Sequence, residues 1–285
     1  MVDYNAWNPF ARRETHTPQS ITAYKVLTLL TWLLAVLTSV YYTVEEPRDG
    51  FTIRRRIWDL NDLYPTGFTL NPIIASVYWI LLFLLQVGYI SQLFSSDAAR
   101  VTAAANVGSH FILNNLLHFG FVMLFVRSHF IWAEVVQVIN FFNLLNLYFL
   151  HRTNPILIHI ASASGPLAWA FVALYWNGAL MVRHPDHLVD RVFANIFIWS
   201  IPVFGHFCLL IFKDYTIGFS LSILSAALGV GQFFHRVVAL QWIFAFVSMA
   251  TLFLSSSAVA SRVWLRREAP PPADQERAPL LNDEN

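Results

Sequence analysis

The chain has one cysteine, Cys208, in 285 residues. That excludes an intramolecular disulfide and a metal–thiolate centre, and the apolar run around Cys208 makes it a packing residue. Charge is scarce too. Asp, Glu, Lys and Arg supply 12% of the residues, about half of what a soluble domain carries. The formal net charge is +1, with basic residues scattered at the ends of apolar runs, so no basic stripe offers itself to nucleic acid. Catalytic signatures are missing as well: there is no Gly-x-Ser-x-Gly elbow, no phosphate-binding glycine loop and no His-Glu-x-x-His pair. No cofactor and no metal is expected.

What the chain has in excess is apolar length. Hydrophobic residues make up 56% and aromatic residues 16%. Charged or polar punctuation divides them into eight runs, at about 21–42, 70–94, 106–126, 130–150, 156–182, 188–212, 215–234 and 237–263. Each is long enough, as a helix, to cross about 30 Å of hydrocarbon. The fold class predicted is an all-α, polytopic membrane helix bundle whose first partner is the lipid bilayer. Three parts are expected: a polar, solvated N-terminal tail over 1–20, a transmembrane domain over 21–265 and a disordered tail over 266–285. No cleavable signal pattern precedes the first run, which is expected to act as a signal anchor.

Residues 43–69 form the one long internal loop, with Arg54, Arg55 and Arg56 as a solvated or headgroup-contacting run and a ligand role as the alternative. The later connections are two to five residues long, too short for a soluble catalytic domain. Trp132, Trp176 and Trp264 fall near run ends and fit an interfacial belt, whereas Trp169 and Trp199 fall deeper. Positive charge does not orient the chain, since ten basic residues fall on one side and eight on the other.

Polar residues inside the runs are the informative exceptions, because lipid cannot satisfy them. His110, Asn114 and His118 recur every fourth residue, which places them on one face of a helix over about 12 Å. Gln137, Asn140, Asn143 and Asn146 recur every third residue on the next run and wind around it. Together they define a candidate ligand-binding interior, His110, Asn114, His118, Gln137, Asn140 and Asn143, with interhelical hydrogen bonding as the competing role. The two histidines are too far apart to share one ion. His159 and His206, each alone on an apolar run, read as packing residues. Glu134 reads as an interfacial residue beside Arg127, or else as a buried proton carrier. The stretch Ser162-Ala163-Ser164-Gly165-Pro166 allows close packing, a kink or a mid-membrane pocket.

Pro65-Thr66-Gly67-Phe68-Thr69 leading to Ser76-Val77-Tyr78-Trp79 and Gln86, then Asn114-Asn115-Leu116, and Pro166-Leu167-Ala168-Trp169 through Asn177, resemble segments of the longer tryptophan-rich sensory proteins. Those are relatives of the translocator protein family, and the resemblance runs over roughly 60–260. It implies a hydrophobic or amphipathic small molecule, porphyrin- or sterol-like, as the ligand. The whole chain also resembles a fungal multi-pass membrane family, which implies no activity. The function expected is a non-enzymatic transporter or binder of a small amphipathic molecule. An integral-membrane lipid-modifying enzyme and a structural membrane partner are the alternatives.

After Trp264 the composition turns to proline, alanine and charge, which cannot bury enough apolar surface to fold. Within that tail Glu276, Leu280 and Leu281 resemble an acidic dileucine sorting signal, a carboxylate and two apolar anchors for a clathrin-type adaptor complex. The resemblance implies a vacuolar or lysosome-like membrane. Because adaptors are cytosolic, an even number of spans then puts both termini in the cytosol.

Overall fold

The computed structural model describes residues 8–48, 54–151, 154–182 and 188–268. Among them the chain forms α1 Pro18–Val44, the short α2 Ile57–Leu63, α3 Pro72–Gln92, α4 Ala98–Phe125, α5 Phe130–Leu150, α6 Ile156–Val182, α7 Leu188–Phe212, α8 Tyr215–His235 and α9 Gln241–Glu268. All but α2 are long and apolar enough to cross a membrane, eight candidate spans in all. The molecule is an all-α, polytopic bundle with no strand among the described residues. The C-terminal residues Glu276, Leu280 and Leu281 and residues 183–187 lie outside the described residues.

Helix starts follow from local chemistry. Thr17, Asn71, Asp97 and Asp214 each precede a span and accept a hydrogen bond from a first-turn backbone N–H. Pro18 and Pro72 follow two of them, where the missing N–H costs nothing. The tight reversals place Ser128, Lys213 and Arg236 in the left-handed region, at φ 62°, 56° and 50°.

Two spans are interrupted, each just ahead of a proline. In α6 the backbone widens into a π-turn over Ile160–Ser164, immediately before Gly165-Pro166. α7 breaks between Leu188–Phe197 and Ser200–Phe212, because Pro202 cannot donate to the carbonyl of Ile198 and its ring crowds that group.

Burial sorts the helices. Over their most apolar 18-residue stretches, 78% of α6 and 67% of α8 is buried, against 22% of α1 and α9, so α6 and α8 are the centre. α1 packs on α4, α4 on α5 and α5 on α6; α7 and α9 flank α8, and α3 lies against both α6 and α8. α8 and α9 approach closely at Gly218, where an added Cβ would collide with Ser256 Oγ. The outward face is apolar, with Val26, Leu30 and Leu37 on α1, Ile73, Ile80 and Leu84 on α3, and Phe253 and Leu254 on α9 exposed. In water such a surface would aggregate, but lipid solvates it.

Several local expectations change. Part of the polar N-terminal stretch docks on α4: Arg13 N–H donates to Asn106 Oδ1 at 2.8 Å, Asn106 Nδ2 returns a bond to Arg13 O at 2.9 Å, and the Phe10 ring packs on His110. The 43–69 loop contains α2 and ends in a buried strap, residues 66–70. Asn61 Nδ2 donates to Leu70 O at 3.0 Å, its Oδ1 accepts from Leu70 N at 3.0 Å, and Gln232 Nε2 reaches Thr66 O at 2.8 Å. Trp176 is fully buried and Trp199 is exposed on the outer face, which reflects which helix faces which, a property that distance along a run does not carry.

Candidate functional site

The face carrying His110, Asn114 and His118 does not point at a single neighbour. Residues four apart drift by roughly 40° per step on a 3.6-residue helix, so His118 lies roughly 80° around α4 from His110. His110 and Asn114 therefore meet α5, and His118 meets α1 and α3. His110 Nδ1 lies 2.8 Å from Asn143 Oδ1, and Asn143 Nδ2 donates to His110 O at 3.1 Å. Asn140 Nδ2 donates to Asn114 Oδ1 at 3.0 Å. Gln137 turns to α6, where its Nε2 donates to Ala170 O at 3.1 Å. The row then winds outward, leaving Asn146 exposed. All six candidate residues make interhelical hydrogen bonds, five among α4, α5 and α6 and His118 to Ser39 on α1, that satisfy polar groups in an apolar interior.

His118 is different. Its Nε2 lies 2.9 Å from Ser39 Oγ, and its ring packs on Trp79 with centroids 4.5 Å apart. From Trp79 the aromatic contacts continue to Trp169 at 5.2 Å, to Trp176 at 5.8 Å, and from Trp176 to Phe125 at 4.5 Å and Trp58 at 5.8 Å. These side chains line a cavity of about 220 Å³ enclosed by α1, α2, α3, α4 and α6. No charged side chain lines it; its polar groups are Ser39, Thr43, Ser76, His118 and the indole nitrogens. The N–H groups of Trp58 and Trp169 are buried without a partner. Trp176 Nε1 donates to Asn61 Oδ1 at 2.9 Å, which ties the cavity wall to the strap. Exposed Val40, Val44 and Ile80 form the rim, so the opening is sideways, between α1 and α3.

A second cavity, about 340 Å³, lies between the strap at 66–68, the end of α6 and the start of α7. Its walls are apolar apart from Thr66, Tyr175, Asp190 and Arg191. Glu134 sits nearby, where its Oε2 accepts from Asn177 Nδ2 at 2.7 Å. That amide hydrogen-bonds Glu134 directly, a partner no spacing pattern indicates.

Sequence reasoning also missed a buried pair. His159 Nε2 lies 2.9 Å from Asp214 Oδ2, and Thr216 Oγ1 donates to Asp214 Oδ1 at 2.6 Å. Ser164, on the π-turn of α6, lies 2.7 Å from Thr216 Oγ1. Burial pushes the Asp214 carboxyl upward, but the hydrogen bonds and charge of His159, with the Thr216 hydroxyl, hold it below the usual carboxylate range. The pair staples α6 to the α7–α8 turn. Fifty-five positions separate the two residues, so nothing local marks them as partners. His206 Nε2 similarly reaches Ser255 Oγ on α9 at 3.1 Å.

His151, just past α5, has its ring centroid 6.1 Å from that of His110. Burial, followed by the neighbouring His110 and Arg12, pushes its pKa down to about 4, so its imidazole is neutral near pH 7. Among the described residues no group of three or more His, Cys, Asp or Glu is placed to hold a metal ion.

No solved structure matches the chain. It is 32% identical over 121 residues to Uncharacterized protein C637.03 of Schizosaccharomyces pombe, a match covering 42% of this chain and 43% of that protein. The chain thus spans less than half the length of the curated relative it matches. Residues 191–281, from α7 through α9 and beyond, match the model of a family described as fungal protein of unknown function (DUF1774). The chain is therefore similar, over its last third, to a fungal family whose function is not known.

Proposed function

We propose that the protein binds, and carries within or across its membrane, a small amphipathic molecule, and that the tryptophan-lined cavity holding His118 is the binding site. The observation that carries this reading is the lining itself: four indoles, three phenyl rings and one histidine around about 220 Å³, with no charge. Aromatic faces suit a flat apolar group. Each unpaired indole N–H costs roughly 1–3 kcal/mol when dry, so a ligand oxygen that accepts from Trp58 or Trp169 would recover that penalty. The volume is below the 300–1,000 Å³ of sites that enclose a drug-sized ligand. One end of the molecule enters and the rest stays in lipid between α1 and α3. The resemblance to the tryptophan-rich sensory proteins, carried in part by Trp79 and Trp169, points to porphyrin- or sterol-like ligands.

The test uses protein in nanodiscs titrated with protoporphyrin and with a fluorescent sterol, read by quenching of tryptophan emission. Quenching by one of the two should saturate. Ser76→Phe, which fills the cavity, should abolish saturation, and His118→Leu should weaken binding about tenfold, the worth of one hydrogen bond of roughly 1.4 kcal/mol. Quenching that rises without saturation, equally in wild type and Ser76→Phe, would mean simple partition into lipid and would remove the site.

The reading extends to location. Glu276, Leu280 and Leu281 serve as a dileucine signal for a clathrin-type adaptor that delivers the protein to a vacuolar or lysosome-like membrane. Eight crossings bring both chain ends to one side, which the adaptor makes the cytosolic side. Replacing Leu280 and Leu281 by alanine should move a tagged protein to the cell surface or an earlier compartment. A double mutant that reaches the wild-type membrane would leave the signal without a role.

A further inference from the structure

We propose that His110 and His151 form a two-imidazole site for a single copper(I) ion, closed over by the N-terminal segment. Both residues are almost wholly buried, at 1% and 2% exposure. His110 Nε2 has no hydrogen-bond partner, and the two nitrogens of His151 have only the backbone of Phe10 within reach. Buried polar atoms are normally paired, so at least one nitrogen on each of two adjacent rings is left for an occupant.

The other nitrogen of His110 explains why the site is poised for a cation. Asn143 Nδ2 donates to the carbonyl of His110, which fixes the orientation of the amide and leaves Oδ1 facing His110 Nδ1 at 2.8 Å. An amide oxygen only accepts, so Nδ1 carries the proton and Nε2 presents a bare lone pair. A hydrogen bond from the far nitrogen is how ligating histidines are held in their tautomer. In this role Asn143 is a positioning residue.

Distance selects the coordination. An ion about 2.0–2.1 Å from a ring nitrogen lies roughly 3.2 Å from the ring centre, so two imidazoles sharing it have centroids about 5–6.5 Å apart. The observed 6.1 Å falls near the open end of that range, so an ion bridging the two rings would be held at a wide N–metal–N angle. Copper(I) accepts two nitrogen ligands in such an arrangement, whereas zinc takes four ligands, usually tetrahedral. No group of three or more metal-ligating side chains exists among the described residues to complete a tetrahedron. Charge selects in the same direction, because the Arg12 guanidinium acts on His151 and repels a divalent ion more than a monovalent one. Phe10, with its ring centroid 4.7 Å from that of His110, supplies an apolar lid. His151 follows the end of α5, so the site is reached from the face on which the N-terminal segment docks.

The test is independent of the cavity reading, since it needs no organic ligand. Full-length protein in nanodiscs, kept under reducing conditions without oxygen, is titrated with copper(I) held by bicinchoninate as the competing chelator. One copper per chain should be withdrawn from the chelator, with X-ray absorption showing two imidazole nitrogens. His110→Gln and His151→Gln should each weaken binding at least a hundredfold, and Asn143→Ala by about 10–100-fold. His206→Gln, on α7 and outside both sites, should bind as wild type does. Thermal melting without metal identifies any variant that misfolds, and the wild-type stoichiometry and absorption spectrum do not depend on the variants. Wild type that leaves copper with the chelator, prefers zinc(II), or binds equally well without His151 would overturn the proposal.

Discussion

Gly231→Ala should lower the thermal midpoint of the purified protein by roughly 2–12 °C, and Gly231→Val should prevent recovery of folded protein. α8 crosses the 66–70 strap at this glycine. A Cβ there would collide with Thr69 O and come within 2.8 Å of the Leu70 carbonyl carbon and 2.9 Å of Asn71 N. All three are backbone atoms, and the backbone cannot step aside. Asn71 N donates to Ala227 O at 2.8 Å, and Gln232 Nε2 holds Thr66 O and Thr69 O. Overpacking in a fixed site costs about 1–3 kcal/mol or more, and each kilocalorie corresponds to about 2–4 °C in a chain of this order of size. Gly120→Ala is the control, since its nearest neighbour is Val136 Cγ1 at 3.9 Å. There the better helix propensity of alanine should leave the midpoint unchanged or slightly higher. Equal melting of the two alanine variants would refute the close approach at Gly231.

Asn61→Leu should lose roughly 3–6 kcal/mol, with a red shift of tryptophan emission. The Asn61 side chain satisfies the Leu70 N–H, the Leu70 carbonyl and the Trp176 indole N–H at 2.9–3.0 Å. Leucine is close in size, so little cavity forms, but three buried polar groups lose their partners. Each such loss costs about 1–3 kcal/mol, partly relieved where water can enter. The variant also tests the link between strap and cavity, because Trp176 would lose the bond that orients it. Saturable quenching by the ligand probe should weaken even in molecules that remain folded. A variant that melts and binds like wild type would show that Asn61 neither holds the strap nor positions Trp176.

Both predictions concern residues that carry no signal in the one-dimensional pattern. Asn61 lies in a stretch that reads as a loop, and Gly231 sits in an ordinary apolar run. His118 shows the intermediate case. Its spacing from His110 identifies a polar face, but the 3.6-residue period also turns it away from the amides of α5 toward α1 and α3. The period gives the angle between the two residues, and only the neighbours' positions convert that angle into a partner.

The sequence by itself determined the fold class, the eight spans and most of their starts. Those depend on local quantities: apolar length against bilayer thickness, and a cap residue with or without a following proline. It also determined that most polar residues of α4 and α5, though not Asn146, turn inward, because lipid offers them no partner. Only the tertiary structure decided which inward residues pair and which line a cavity. It joined His159 to Asp214 and Trp176 to Asn61, folded the 66–70 strap into the core and set His151 beside His110. Nearly every helix face in such a chain is apolar, so hydrophobicity does not say which face meets lipid and which meets protein. Close-packed shape and the pairing of a few distant polar groups make that choice.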